Sequence, residues 1–105
     1  MKDSISSKEI EDLNALIVRF VRKMKLPSEV SQEAHRILEQ AQKLGVSTDQ
    51  NPRGQAAAAV YIASIFTNNR VTQNQIAHVF EVSVQTIRTR YVKLVKTLGI
   101  RKQSK

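Results

Sequence analysis

Cysteine is absent from the chain, which excludes disulfides, thiolate zinc sites and a cysteine nucleophile together. Glycine is scarce: Gly45, Gly54 and Gly99 are scattered and form no loop of the kind that cradles phosphate. The two histidines, His35 and His78, stand far apart and in no ligand spacing, so neither a metal nor a cofactor is expected. No paired carboxylates and no nucleophile with an adjacent base are apparent, and an enzyme is not expected. Period-2 alternation long enough for a strand is missing, which leaves helices. Met1-Lys2-Asp3-Ser4 leads into polar sequence, so no signal peptide is read. The longest apolar stretch falls well short of the ~20 residues a membrane span requires. A soluble, intracellular, single-domain chain is the expectation for these 105 residues.

The most uneven deficit is of acid. Residues 1–81 carry 10 Lys/Arg against 9 Asp/Glu, whereas no acid follows Glu81. Arg88, Arg90, Lys93, Lys96, Arg101, Lys102 and Lys105 therefore supply seven of the eight net positive charges from the last 24 residues. Such asymmetry points to a polyanionic partner or a basic tail.

What is present in abundance is helix pattern. Ala56-Ala57-Ala58-Ala59-Val60-Tyr61-Ile62-Ala63-Ser64-Ile65-Phe66 leaves no polar stripe for water, so the helix it forms must be buried. Asn51 as cap and Pro52 at the first helical position mark its start. Before it, Leu13, Leu16, Ile17, Phe20, Val21 and Met24 repeat with one-sided helical spacing up to Pro27. Ser28 offers a cap for a second helix with Val30, Ala34, Ile37, Leu38, Ala41 and Leu44 on one face, ended by Gly45. His35 falls off that face and takes no role. Five helices are expected over about 8–25, 28–44, 52–66, 73–80 and 84–98, with polar ends at 1–7 and 99–105.

The last two form a helix-turn-helix. Thr72 caps a short helix that turns Ile76, Ala77 and Phe80 inward; Glu81-Val82-Ser83 makes the turn, with Val82 as an apolar plug. Ser83 caps the next helix, which buries Ile87, Tyr91, Leu94 or Val95, and Leu98. Glu81 stands where such turns often have glycine, and a left-handed conformation there costs a non-glycine residue on the order of 1 kcal/mol. Gln85, Arg88, Thr89 and Val92 then face outward. A helix fits the DNA major groove, where Arg pairs with guanine and Gln with adenine. Arg90, Lys93 and Lys96 suit phosphates, which carry no base information.

These residues carry a resemblance. Asn51-Pro52, Ala56-Ala57-Ala58-Ala59-Val60-Tyr61-Ile62-Ala63-Ser64, Thr72-Gln73-Asn74-Gln75-Ile76-Ala77 and Val82-Ser83-Val84-Gln85-Thr86-Ile87-Arg88-Thr89-Arg90-Tyr91 resemble the second cyclin-like repeat of transcription factor IIB and archaeal transcription factor B. Leu26-Pro27 also matches, and the resemblance covers roughly residues 10–98. It implies an all-α, five-helix cyclin-like fold with the third helix buried at its centre. It further implies a domain that binds promoter DNA at a purine-rich element next to the TATA box, together with TATA-binding protein. The base-reading positions of the family fall on Gln85 and Arg88. Its phosphate positions fall on Asn51, Arg53, Arg70, Thr72, Thr86 and Arg90. The chain departs from the family at Glu81, usually Gly, and at Gln85, where small apolar residues are common.

The family's cysteine-bearing zinc ribbon and first repeat have no counterpart here, so the chain reads as the C-terminal domain of a longer factor. RNA polymerase would be met through parts of that factor not represented in these residues. The place of action would be the archaeal nucleoid, or the nucleus of a eukaryote. The alternative is a cyclin-box module that binds proteins and not DNA; an acid-free, basic last helix argues against it. A dimeric helix-turn-helix repressor would need an exposed apolar dimerisation stripe, which is not apparent, so a monomer is expected.

Overall fold

The structure, a computed structural model, describes residues 7–45 and 52–99, with side chains described over 13–45 and 53–99. Five helices follow one another: α1 (Ser7–Lys23), α2 (Ser28–Lys43), α3 (Pro52–Phe66), α4 (Gln73–Phe80) and α5 (Val84–Leu98). This is the all-α, five-helix arrangement of the cyclin-like fold. Among the described residues no helix is long and apolar enough to cross a membrane.

Helix α3 is the centre, and it touches each of the other four. Its residues from Gln55 to Val60 and from Ile62 to Ser64 are all buried, so between these positions the helix presents no polar stripe to water. The alanines explain how four neighbours fit. A side chain reduced to a methyl group lets helix axes approach on every side, and larger residues supply the fill from outside. Those are Ile17 and Phe20 of α1, Val30 and Ile37 of α2, Ile76 and Phe80 of α4, and Ile87 and Leu94 of α5. Leu94, and not Val95, is the fully buried member of that pair.

Each helix ends on a left-handed residue. Gly45, at φ +81, closes α2 and Gly99, at φ +67, closes α5. The other three such residues are Lys25, Asn68 and Glu81, with φ of 58°, 64° and 59°. At Lys25 the Leu26 N–H returns to the Val21 carbonyl at 2.9 Å and the Lys25 N–H to that of Arg22 at 3.0 Å, a Schellman closure. That closure ends α1 at Lys23, short of residue 25, before Pro27 is reached. Two other expectations are corrected. Pro27, and not Ser28, occupies the cap position of α2, with no side-chain cap bond. The Ser28 carbonyl instead accepts from Ser31 Oγ at 2.9 Å. Leu44, placed on the inner face by its spacing, is 59% exposed, because α2 has ended before it.

Candidate nucleic-acid interface

The helix-turn-helix is built from local chemistry. Thr72 sits at the cap of α4 with its Oγ1 accepting from the Gln75 N–H at 3.0 Å, while the Gln75 side-chain oxygen accepts from the Thr72 N–H at 2.9 Å. This reciprocal capping box satisfies two otherwise unpaired donors and fixes where the short helix begins. At the other end Glu81 adopts the left-handed conformation, φ 59 and ψ 47, and the Val82 N–H bonds the Ala77 carbonyl at 3.1 Å. Val82 is half-buried against the core, as a plug between the helices should be. Ser83 Oγ then accepts from the Thr86 N–H at 3.0 Å and starts α5.

Two aromatic contacts seat this unit on the rest of the domain. Phe80 at the end of α4 meets Phe20 of α1 with ring centroids 5.6 Å apart. Tyr91 of α5 meets Tyr61 of α3 edge-on at 5.3 Å. The inner face of α5 is thereby fixed, and the outward face follows from it: Gln85, Arg88, Thr89, Val92, Lys93 and Lys96 are all exposed.

Between the start of α4 and α5 lies an open cleft of about 420 Å³, lined by Tyr61, Arg70, Thr72, Gln73, Val84 and Arg88 among others. It brings together three of the residues singled out from the sequence: Arg70, Thr72 and Arg88. Gln85 and Lys93 lie on the outward face of α5 and not in its lining. Thr72 offers less to a ligand than its position suggests, because its N–H and its hydroxyl are both engaged with Gln75. The first-turn N–H groups of Gln73 and Asn74 have no intrahelical acceptor, as at any helix start. Thr86 Oγ1 accepts from the Ser83 hydroxyl at 3.0 Å, which leaves its own O–H to donate. Arg90 is partly buried and takes part in an interaction within the fold. Asn51 lies outside the described residues.

Arg53 is at the other end of α4. Its Nη1 donates to the Phe80 carbonyl at 3.4 Å and forms an ion pair with Glu81 Oε1 at 3.2 Å. Glu81 thus brings a strained backbone and a carboxylate to a cation expected to hold phosphate. The side chains are 51% and 76% exposed, so the pair itself stabilises little. Glu81→Gly is expected to raise stability by about 1 kcal/mol, through relief of the left-handed conformation. Glu81→Gln, which removes the charge but keeps the backbone, should stay within about 0.5 kcal/mol of the parent. Urea denaturation of the three proteins side by side checks both.

One contact escaped the sequence altogether. Arg88 Nε donates to Gln73 Oε1 at 3.2 Å, across fifteen residues of chain. Neither periodicity nor capping pattern singles out Gln73, which sits one residue past a cap, where side-chain identity is weakly constrained. Among the described residues no group of three or more His, Asp and Glu is placed to hold a metal ion.

The chain matches the family described as Transcription factor TFIIB repeat over residues 6–97. It is 39% identical over 92 residues to a Transcription initiation factor IIB of Caldivirga maquilingensis, covering 88% of this chain and 27% of that protein. It is 43% identical over 84 residues to the Transcription initiation factor IIB of Methanococcus maripaludis, covering 80% of this chain and 25% of that one. With the Transcription initiation factor IIB 2 of Halobacterium salinarum it shares 40% identity over 80 residues, 76% of this chain and 25% of that protein. The chain therefore spans about a quarter of the length of the curated relatives it matches. A family match over nearly the whole chain, on a five-helix fold that ends in a helix-turn-helix, leads to one conclusion: this chain belongs to the transcription factor TFIIB repeat family.

Proposed function

We propose that this domain serves transcription initiation by binding double-stranded promoter DNA beside a TATA box, together with TATA-binding protein. The observation that carries the reading is the outward face of α5: Gln85 and Arg88 stand exposed near its start, and Lys93 and Lys96 follow on a helix without acid. A helix of this kind enters the major groove with its N-terminal residues toward the base edges. Gln85 and Arg88 read bases. Phosphates are held by Arg53, Arg70, Thr72, Thr86, Arg90 and Lys93, and by Asn51. Positive charge on both sides of the reading helix brings the duplex in and fixes its register. The role is binding, by one copy of the domain, in the nucleoid or nucleus where promoters are. RNA polymerase is met through parts of a longer factor that these residues do not represent.

Two substitutions separate base reading from phosphate holding. Arg88→Ala should lower discrimination between an intact and a scrambled upstream element by about 1–3 kcal/mol. Lys93→Ala should weaken binding to both duplexes alike and reduce the slope of log K against log salt by about 0.9. Fluorescence anisotropy over a salt series measures both. Equal effects of Arg88→Ala on the two duplexes would remove it from base reading.

A further inference from the structure

Arginine reads a base better when its guanidinium is already held in the right plane, because a long exposed side chain has many other rotamers to visit. In this domain the guanidinium of Arg88 is already held. Its Nε donates to Gln73 Oε1 at 3.2 Å, and both residues line the cleft between the start of α4 and α5. From this contact we infer that Gln73 is the positioning residue of Arg88, and so helps to set the base preference of the helix that follows it. The inference rests on the DNA-reading function proposed above.

The chemistry of the pair gives it direction. A guanidinium carries only donors, so the amide of Gln73 must present its oxygen to Arg88. The single Nε–H is then consumed, and an approach to a base through Nε and one Nη is closed. What remains is the pair of Nη groups at the tip, a planar fork matched to two acceptors side by side, such as O6 and N7 of guanine. Gln73 is a firm support for this. It is the first residue of α4, directly after a cap that is bonded in both directions, and α4 is anchored by the fully buried Ile76 and Phe80. On the other side, Arg88 follows the fully buried Ile87 of α5. Both ends of the bond therefore stand on fixed backbone.

Gln73→Ala should keep its melting temperature, because alanine suits the first turn of a helix and no core contact is removed. Its effect should fall on discrimination: the ratio of affinities for intact and scrambled elements drops about five- to tenfold. In an Arg88→Ala background the same change should alter that ratio less than about twofold, since the group to be positioned is gone. Gln73→Glu keeps the acceptor oxygen, so it should preserve the ratio while a carboxylate near phosphate lowers affinity for both duplexes. The binding assay uses the domain with TATA-binding protein on the two duplexes, with thermal melting of each variant alongside. Wild-type discrimination that is lost in Arg88→Ala but untouched in Gln73→Ala would overturn the positioning role alone, as would additive losses in the double variant. A wild-type domain with no discrimination would overturn the proposed function and this role together.

Discussion

Phe80→Ala is expected to cost about 3–5 kcal/mol of folding stability, the range for truncating a buried aromatic in a core that cannot collapse around the gap. Phe80 is fully buried, and its ring meets Phe20 of α1 at 5.6 Å in a tilted arrangement. Its position makes the loss structural as well as energetic. Helix α4 is only eight residues long, too short to persist by its own hydrogen bonds. It is held by its cap at one end and by Ile76 and Phe80 on its inner face. Against a total of about 5–15 kcal/mol for a domain, removal of the ring leaves little margin. Helix α4, the first helix of the helix-turn-helix, should loosen before the α1–α3 core does, so DNA binding should fail at temperatures where helicity is largely kept. Urea unfolding followed by circular dichroism measures the loss. A cost under about 1 kcal/mol would mean that the α4–α1 contact is not part of the folded domain.

Gln55→Leu should have the opposite sign. Gln55 lies in the first turns of α3 and is fully buried, and neither its Oε1 nor its Nε2 has a hydrogen-bond partner among the described residues. Burying a polar amide without partners costs about 1–3 kcal/mol in proteins. Leucine is apolar and of similar size, so the substitution is close to volume-conserving. A gain of about 1–3 kcal/mol is expected, and for a domain of this size each kilocalorie raises Tm by about 4–8 °C. The reverse result, a lower melting temperature, would show that the amide is hydrogen-bonded in solution. Calorimetry on the two proteins decides it. DNA binding at a fixed temperature well below both transitions should be unchanged, because Gln55 is enclosed in the core.

What could be read from the sequence was what depends on neighbours along the chain. The run Ala56–Ala59 dictates a helix with no exposed face, and α3 is buried from Gln55 to Ser64 apart from Tyr61. Thr72 and Ser83 cap their helices because a hydroxyl there reaches the N–H three residues on. The left-handed Glu81 was legible as a glycine position filled by another residue. Leu44 was misread because periodicity continues in a sequence after the helix has stopped; the glycine closure at Gly45 leaves it outside. At Lys25 the stop itself was hidden, since lysine carries no signature of a left-handed residue.

The candidate site divides along the same line. That Gln85 and Arg88 face outward follows from Ile87 and Leu94 facing inward on one helix. The company they keep does not. Arg53 finds Glu81 across 28 residues, and Arg88 finds Gln73 across 15, through packing of α3, α4 and α5 that no local pattern encodes. The first of these contacts changes what is expected of DNA binding. A phosphate approaching Arg53 must compete with the Glu81 carboxylate, so the departure from glycine at this turn weakens one of the phosphate contacts proposed for the domain.

The most direct test of sequence reading through α5 is a mobility-shift titration on TATA-box DNA, with and without TATA-binding protein, and with the upstream purine-rich element intact or scrambled. The predicted result is a further shift by the domain in the presence of TATA-binding protein on the intact element, lost on scrambling and lost in Arg88→Ala. Binding that is indifferent to the element would contradict base reading by Gln85 and Arg88 and leave a basic domain held by phosphates. No binding to any of these duplexes would contradict the DNA-binding function itself.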